Sequence, residues 1–132
     1  MTKKDMQGTG PPEGCQYYAD ISDVPWDIQN TIAQHMSETA SNEKSVLIDC
    51  FAGVGGNAIA FARSHRWKRI YAIERSPAAI ACAKHNAKIY GVYDKISWYE
   101  GDCFSVLQKQ LAGIGEHSVV FASPPWGGEI PE

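Results

Sequence analysis

The chain has 132 residues, 44% of them hydrophobic, with 12 Lys and Arg against 15 Asp and Glu for a net charge of −3. That bounds it to one domain with a core at the small end for an α/β sheet. The charge argues against a protein that grips long nucleic acid mainly by neutralising phosphates. No apolar run approaches the ~20 residues that a membrane-spanning helix needs.

Residues 1–16, MTKKDMQGTGPPEGCQ, are rich in Gly, Pro and charge and lack apolar periodicity. They predict a mobile N-terminal arm ahead of a folded domain over residues 17–132. Lys3 and Lys4 offer charge to nucleic-acid phosphates or simply to solvent. The start shows no apolar h-region, so the protein is expected to be soluble and intracellular, not secreted and not membrane-bound. Cys15, Cys50, Cys82 and Cys103 are scattered, with no CxxC pair and no His at zinc-ligand spacing. Reduced thiols and no metal are the expectation.

From Pro25 the pattern becomes helical, with Ile28, Ile32 and Met36 recurring four apart and Pro25 suited to a first helical turn. This helix is expected to end near Ser41, before a polar SNEK linker, and to pack in front of the sheet. Val46, Leu47 and Ile48 then form the short apolar run of a parallel strand buried on both faces, closed by Asp49. Gly53, Gly55 and Gly56 follow, residues that permit positive φ and close approach of a ligand, and Asn57 opens a helix continuing through Ala58 to Arg63. A carboxylate before the turn repels the pyrophosphate that a dinucleotide fold would bind there and favours a cation. The amino group and sulfonium of S-adenosylmethionine fit that description.

His65, Arg66, Lys68 and Arg69 read as a basic patch or as a solvated turn. The second strand is Ile70 to Ile73, ended by Glu74, placed to accept both ribose hydroxyls of a nucleoside. Ser76 and Pro77 give an N-cap and a first-turn proline to a helix that stops at Gly91, with Ile80, Ala83, Ala87 and Tyr90 on its apolar face. A third strand, 96–100, leads to Asp102, which either accepts from an adenine amino group beside the Cys103 N–H, or caps the helix after it, or does both. The fourth strand, 118–122, runs into Ser123-Pro124-Pro125-Trp126-Gly127-Gly128. The paired prolines stiffen the turn and leave the Pro124 carbonyl free to accept, and an aromatic after them can stack on a base. Such a loop suits methylation of an amino group on a planar ring; a proline-rich turn with a buried Trp is the plainer alternative.

Taken together, DCFAGVGGN, AIACAKHNAKIYGV, GDCF and above all SPPWGG resemble the trimethylguanosine synthases, over roughly residues 17–128. The resemblance implies an α/β, Rossmann-like class I methyltransferase fold that uses S-adenosylmethionine. The implied reaction adds methyl groups to the exocyclic N2 of a 7-methylguanosine cap on small nuclear or nucleolar RNA, in the nucleus or nucleolus. It also implies roles. Asp49, Phe51, Gly53, Gly55 and Asn57 match the first cofactor motif, Glu74 the ribose-binding acid, and Asp102 the adenine-side acid, beside the Cys103 N–H read above. Ser123, Pro124 and Trp126 match the substrate motif, with Ser123 and Pro124 positioning the amine for reaction. The chain departs from the family at Val24, where a better N-cap is expected, and at Glu132, where it stops short of further strands. A partial parallel sheet in the order 3-2-1-4, with an N-terminal helix and strand 4 as an exposed edge, is therefore expected. Two other readings stay open: an amino methyltransferase of adenine N6 or protein glutamine, and an inactive module that binds cofactor or cap.

Overall fold

The computed structural model describes residues 27–123. Four parallel strands, β1 (Val46–Asp49), β2 (Arg69–Glu74), β3 (Ile96–Glu100) and β4 (Ser118–Phe121), lie in the order β3-β2-β1-β4, as the sequence predicts. Helix α1 (Asp27–Thr39) precedes β1; α2 (Gly56–Arg63), α3 (Pro77–Ile89) and α4 (Cys103–Lys109) make the crossovers. The expected start of α1 at Pro25 lies outside the described residues.

Period-two alternation along the strands builds two cores. Leu47, Ile70 and Ala72 point to one face and pack against Ala58, Ile59, Phe61 and Ala87 of α2 and α3, while Ile48 and Ile73 point to the other and meet Cys103 and Val106 of α4. Small residues in α2 let it lie close on the sheet. Phe61 meets Phe121 of β4 edge-on, with ring centroids 5.2 Å apart. Helix α1 packs over α2 through Ala33, Ile32 and Met36, one layer removed from the strands.

Local signals set most boundaries. Ser76 Oγ accepts the Ala79 N–H at 3.2 Å with Pro77 at the first helical position of α3. The helix ends in a Schellman turn, in which the Gly91 N–H donates to Lys88 O and the Val92 N–H to Ala87 O, with Gly91 at φ 72°. The stretch between α2 and β2 proves structural. Arg66 donates from Nη1 to Lys44 O at 2.9 Å and from Nη2 to Ser41 O at 3.0 Å, clasping the SNEK linker. Among the described residues β4 is an outer strand, and Val120 on it is 54% exposed. No helix among them is long and apolar enough to cross a membrane.

Candidate ligand-binding site

The C-terminal ends of β1, β2 and β3 place three carboxylates side by side, the end of an open parallel sheet where ligands bind. Their environments differ sharply. Asp49 is fully buried. Its Oδ1 accepts the Phe51 N–H at 3.2 Å, whereas Oδ2 is buried without a partner. Burial pushes its pKa from 3.8 up to about 7, the Phe51 N–H opposing the rise and the Glu74 charge adding to it. The unpaired Oδ2 and the raised pKa together mark a carboxylate whose charged form a neighbouring positive charge would stabilise.

Glu74 organises the next layer. Its Oε1 accepts the Gly53 N–H at 2.9 Å and its Oε2 the Ser76 N–H at 2.8 Å, so it pins the glycine loop to the start of α3. Each carboxylate oxygen keeps a second lone pair for a hydroxyl. The loop is further fixed by Ala52 N–H donating to Ile73 O and Gly55 N–H to Ala52 O. Gly53 and Gly55 hold φ of 56° and 96°; Gly56 does not take positive φ, correcting the expectation for the third glycine, because it already belongs to α2. A Cβ on Gly55 would stand 3.2 Å from both Ala83 Cα and Cβ, so this glycine also serves helix packing. Asn57 sits half-buried in the first turn of α2.

Sequence reasoning missed one residue of this scaffold. Asn86, fully buried on α3, donates from Nδ2 to Val54 O at 3.0 Å and ties the glycine loop to the helix behind it. The available signal was a lone amide beside Ala83 and Ala87 on an otherwise apolar stripe.

At the end of β3, the Gly101 N–H donates to Glu74 O at 3.0 Å, and Asp102 Oδ2 accepts the Ser105 N–H at 3.1 Å. Asp102 is thus the N-cap of α4, one of the alternatives open from sequence, and its exposure leaves Oδ1 accessible. The thiol expectation is corrected: Cys50 and Cys103 are bonded to each other, because β1 and the first turn of α4 bring their Cα atoms to 5.4 Å. Phe51, Glu74, Asp102 and Cys103 line one cavity of about 180 Å³, together with Cys50, Arg75 and Gly101. A larger cleft of about 410 Å³ between α1 and α2 has no such convergence of acids, so volume does not select the site.

On the other side of β1, Phe121 pairs with Asp49, and Ser123 follows exposed, two residues further along. Pro124, Trp126 and the rest of the proline loop lie outside the described residues. Among the described residues no three His, Cys, Asp or Glu side chains cluster as metal ligands.

Comparison with known proteins places this geometry. The family described as RNA cap guanine-N2 methyltransferase matches residues 44–130. Trimethylguanosine synthase of Schizosaccharomyces pombe is 34% identical over 113 residues, covering 85% of this chain and 45% of that protein. The protein of the same name from Saccharomyces cerevisiae is 38% identical over 108 residues, covering 82% of this chain and 33% of that one. The chain thus spans less than half the length of these relatives. An RNA methyltransferase from Salinibacter ruber, solved in complex with S-adenosyl-L-homocysteine, superposes with a TM-score of 0.50 at 29% identity, covering 70% of this chain and 73% of that one.

Proposed function

This chain belongs to the RNA cap guanine-N2 methyltransferase family, and from that premise we propose that it adds methyl groups to the exocyclic N2 of a 7-methylguanosine RNA cap, giving the 2,2,7-trimethylated form, with S-adenosylmethionine as donor. The observation that carries the reading is the set of three acids at three adjacent strand ends, the innermost with an orphaned buried oxygen. When bound, the cofactor supplies a methyl group made electrophilic by the adjoining sulfonium.

The residues divide the work. Asp49 faces the cofactor's positive charge, and Phe51 with the loop of Gly53, Gly55 and Asn57 shapes the surface against which it lies. Glu74 accepts from the ribose hydroxyls, while Asp102 and the Cys103 N–H recognise the adenine edge. An N2 amine is a weak nucleophile because its lone pair is delocalised into the ring. Ser123 and the Pro124 carbonyl hold its hydrogens and fix its direction, so orientation contributes most of the acceleration. No strong general base stands among these residues, and the proton leaves to water. Trp126 stacks on the 7-methylguanine ring, whose delocalised positive charge adds a cation–π attraction that unmethylated guanine lacks.

The finer part of the proposal, that the capped RNA is small nuclear or nucleolar and the place of action nuclear or nucleolar, is supported by the motif resemblance. Calorimetric titration with S-adenosylmethionine and with 7-methylguanosine diphosphate tests the whole reading. We expect both to bind, and Trp126→Ala to weaken the cap analogue by about 1–3 kcal/mol while sparing the cofactor. A variant that keeps its preference for methylated over unmethylated guanosine would overturn the substrate assignment.

A further inference from the structure

The wall of the cavity carries two thiols that the proposed reaction leaves unused. Cys50 directly follows Asp49 at the end of β1, and Cys103 directly follows Asp102 and opens α4. They are 53 residues apart in sequence, yet their Cα atoms stand 5.4 Å apart and the sulfurs are bonded. Both line the cavity that holds Phe51, Glu74 and Asp102. Both are also packed against Ile48, Ile73 and Val106, at 5% and 7% exposure, so the surrounding core keeps the two sulfurs within reach of each other for re-oxidation when they are reduced.

We propose that Cys50 and Cys103 form a reversible dithiol–disulfide pair whose oxidation narrows the cofactor pocket, so that this chain binds its cofactor in the reduced state. The proposal rests on the cofactor reading above. With the pair bonded, the cavity measures about 180 Å³. Small-molecule pockets run to roughly 300–1,000 Å³. The bond ties the end of β1 to the first turn of α4, the two walls between which Phe51 and Asp102 would admit a nucleoside. Reduction removes this covalent tie, and two thiols that are no longer bonded settle at van der Waals contact, so the walls are free to part.

A peroxide oxidant balances the step. The thiolate of one cysteine attacks the peroxide oxygen, and the expelled hydroxide takes up its proton as water, leaving a sulfenic acid. The second thiolate attacks that sulfur, forms the disulfide and releases a second water. Two glutathione thiols reverse it, becoming glutathione disulfide as the protein regains two thiols. The coupling must be reciprocal: if oxidation weakens cofactor binding by some factor, bound cofactor shifts the pair toward the dithiol by the same factor.

The test equilibrates the full 132-residue chain in glutathione redox buffers and maps the Cys50–Cys103 crosslink by peptide mass. Affinity for S-adenosylhomocysteine is then measured in each state. We expect oxidised protein to bind about tenfold or more weakly, saturating ligand to shift the thiol equilibrium to match, and Cys50→Ala to bind equally in both buffers. Equal affinity with the crosslink verified, or no Cys50–Cys103 crosslink under peroxide, overturns the proposal while leaving the cofactor reading intact. Reduced protein that does not bind the ligand overturns the cofactor reading and the proposal with it.

Discussion

β1 ends in Asp49 followed by Cys50, and β3 leads, two residues past Glu100, to Asp102 followed by Cys103; the two aspartates are physically different groups. Asp49 is sealed in the sheet with one oxygen orphaned and its pKa raised to about 7. Asp102 stands in solvent and already spends one oxygen capping α4. A buried carboxylate stores an unfavourable energy that a cation relieves, so a ligand meeting Asp49 gains more than one meeting Asp102. In the proposed function, the same residue type at a similar position therefore serves mainly ligand affinity at Asp49 and mainly helix capping at Asp102.

The sharpest way to break this comparison is Asp49→Asn, which keeps the shape and removes the charge. Cofactor affinity should fall by about 1.5–3 kcal/mol, the worth of a hydrogen bond to a charged group, while the ligand-free fold gains stability at pH 8 because no buried charge remains. Unchanged affinity in a calorimetric titration would remove Asp49 from the site.

Gly55→Ala probes the scaffold on the Asp49 side. A side chain at φ 96°, with Ala83 backbone 3.2 Å from its Cβ, should cost about 1–2 kcal/mol from the left-handed conformation, plus the displacement of α3. Urea unfolding reads it directly; a loss below about 0.5 kcal/mol would mean the loop relaxes freely.

Titration sharpens the comparison further. The folded pKa of Asp49, about 7, lies above its ordinary 3.8, so the ligand-free fold binds the extra proton between these values. Its stability should therefore fall as pH rises from about 4 to about 7 and level off above, a trend that Asp49→Asn abolishes. A cation requires the carboxylate, so affinity runs the other way, weakening roughly fivefold from pH 7 to pH 6. Affinity independent of pH across that unit would show that the cofactor does not meet Asp49.

Sequence reading reached the four strands, their order and the caps of α3 because those depend on local signals: Val46 to Ile48 as an apolar run, Ser76-Pro77, and Gly91. It reached the three acids because each stands at the end of a strand or just past it. It missed Asn86, whose role depends on a partner 32 residues away at Val54. It missed the Cys50–Cys103 contact because only the parallel register brings β1 and α4 together. The third glycine was misjudged since nothing local says whether Gly56 is the last turn residue or the first helical one.

The smallest effect should come from Asp102→Ala. The substitution removes the acceptor for the Ser105 N–H, and loss of an N-cap carboxylate costs about 1 kcal/mol of stability. Because Asp102 is exposed and, in the proposed function, shares adenine recognition with the Cys103 N–H, cofactor affinity should drop by only about 0.5–1.5 kcal/mol, less than for Asp49→Asn. Asp102→Asn separates the two duties. An asparagine oxygen still caps the helix, so melting behaviour should return to that of the parent chain, and an affinity that stays reduced would then assign the deficit to the lost charge at the adenine edge. If instead Asp102→Asn restores affinity together with stability, Asp102 serves the site only by holding the first turn of α4 in place.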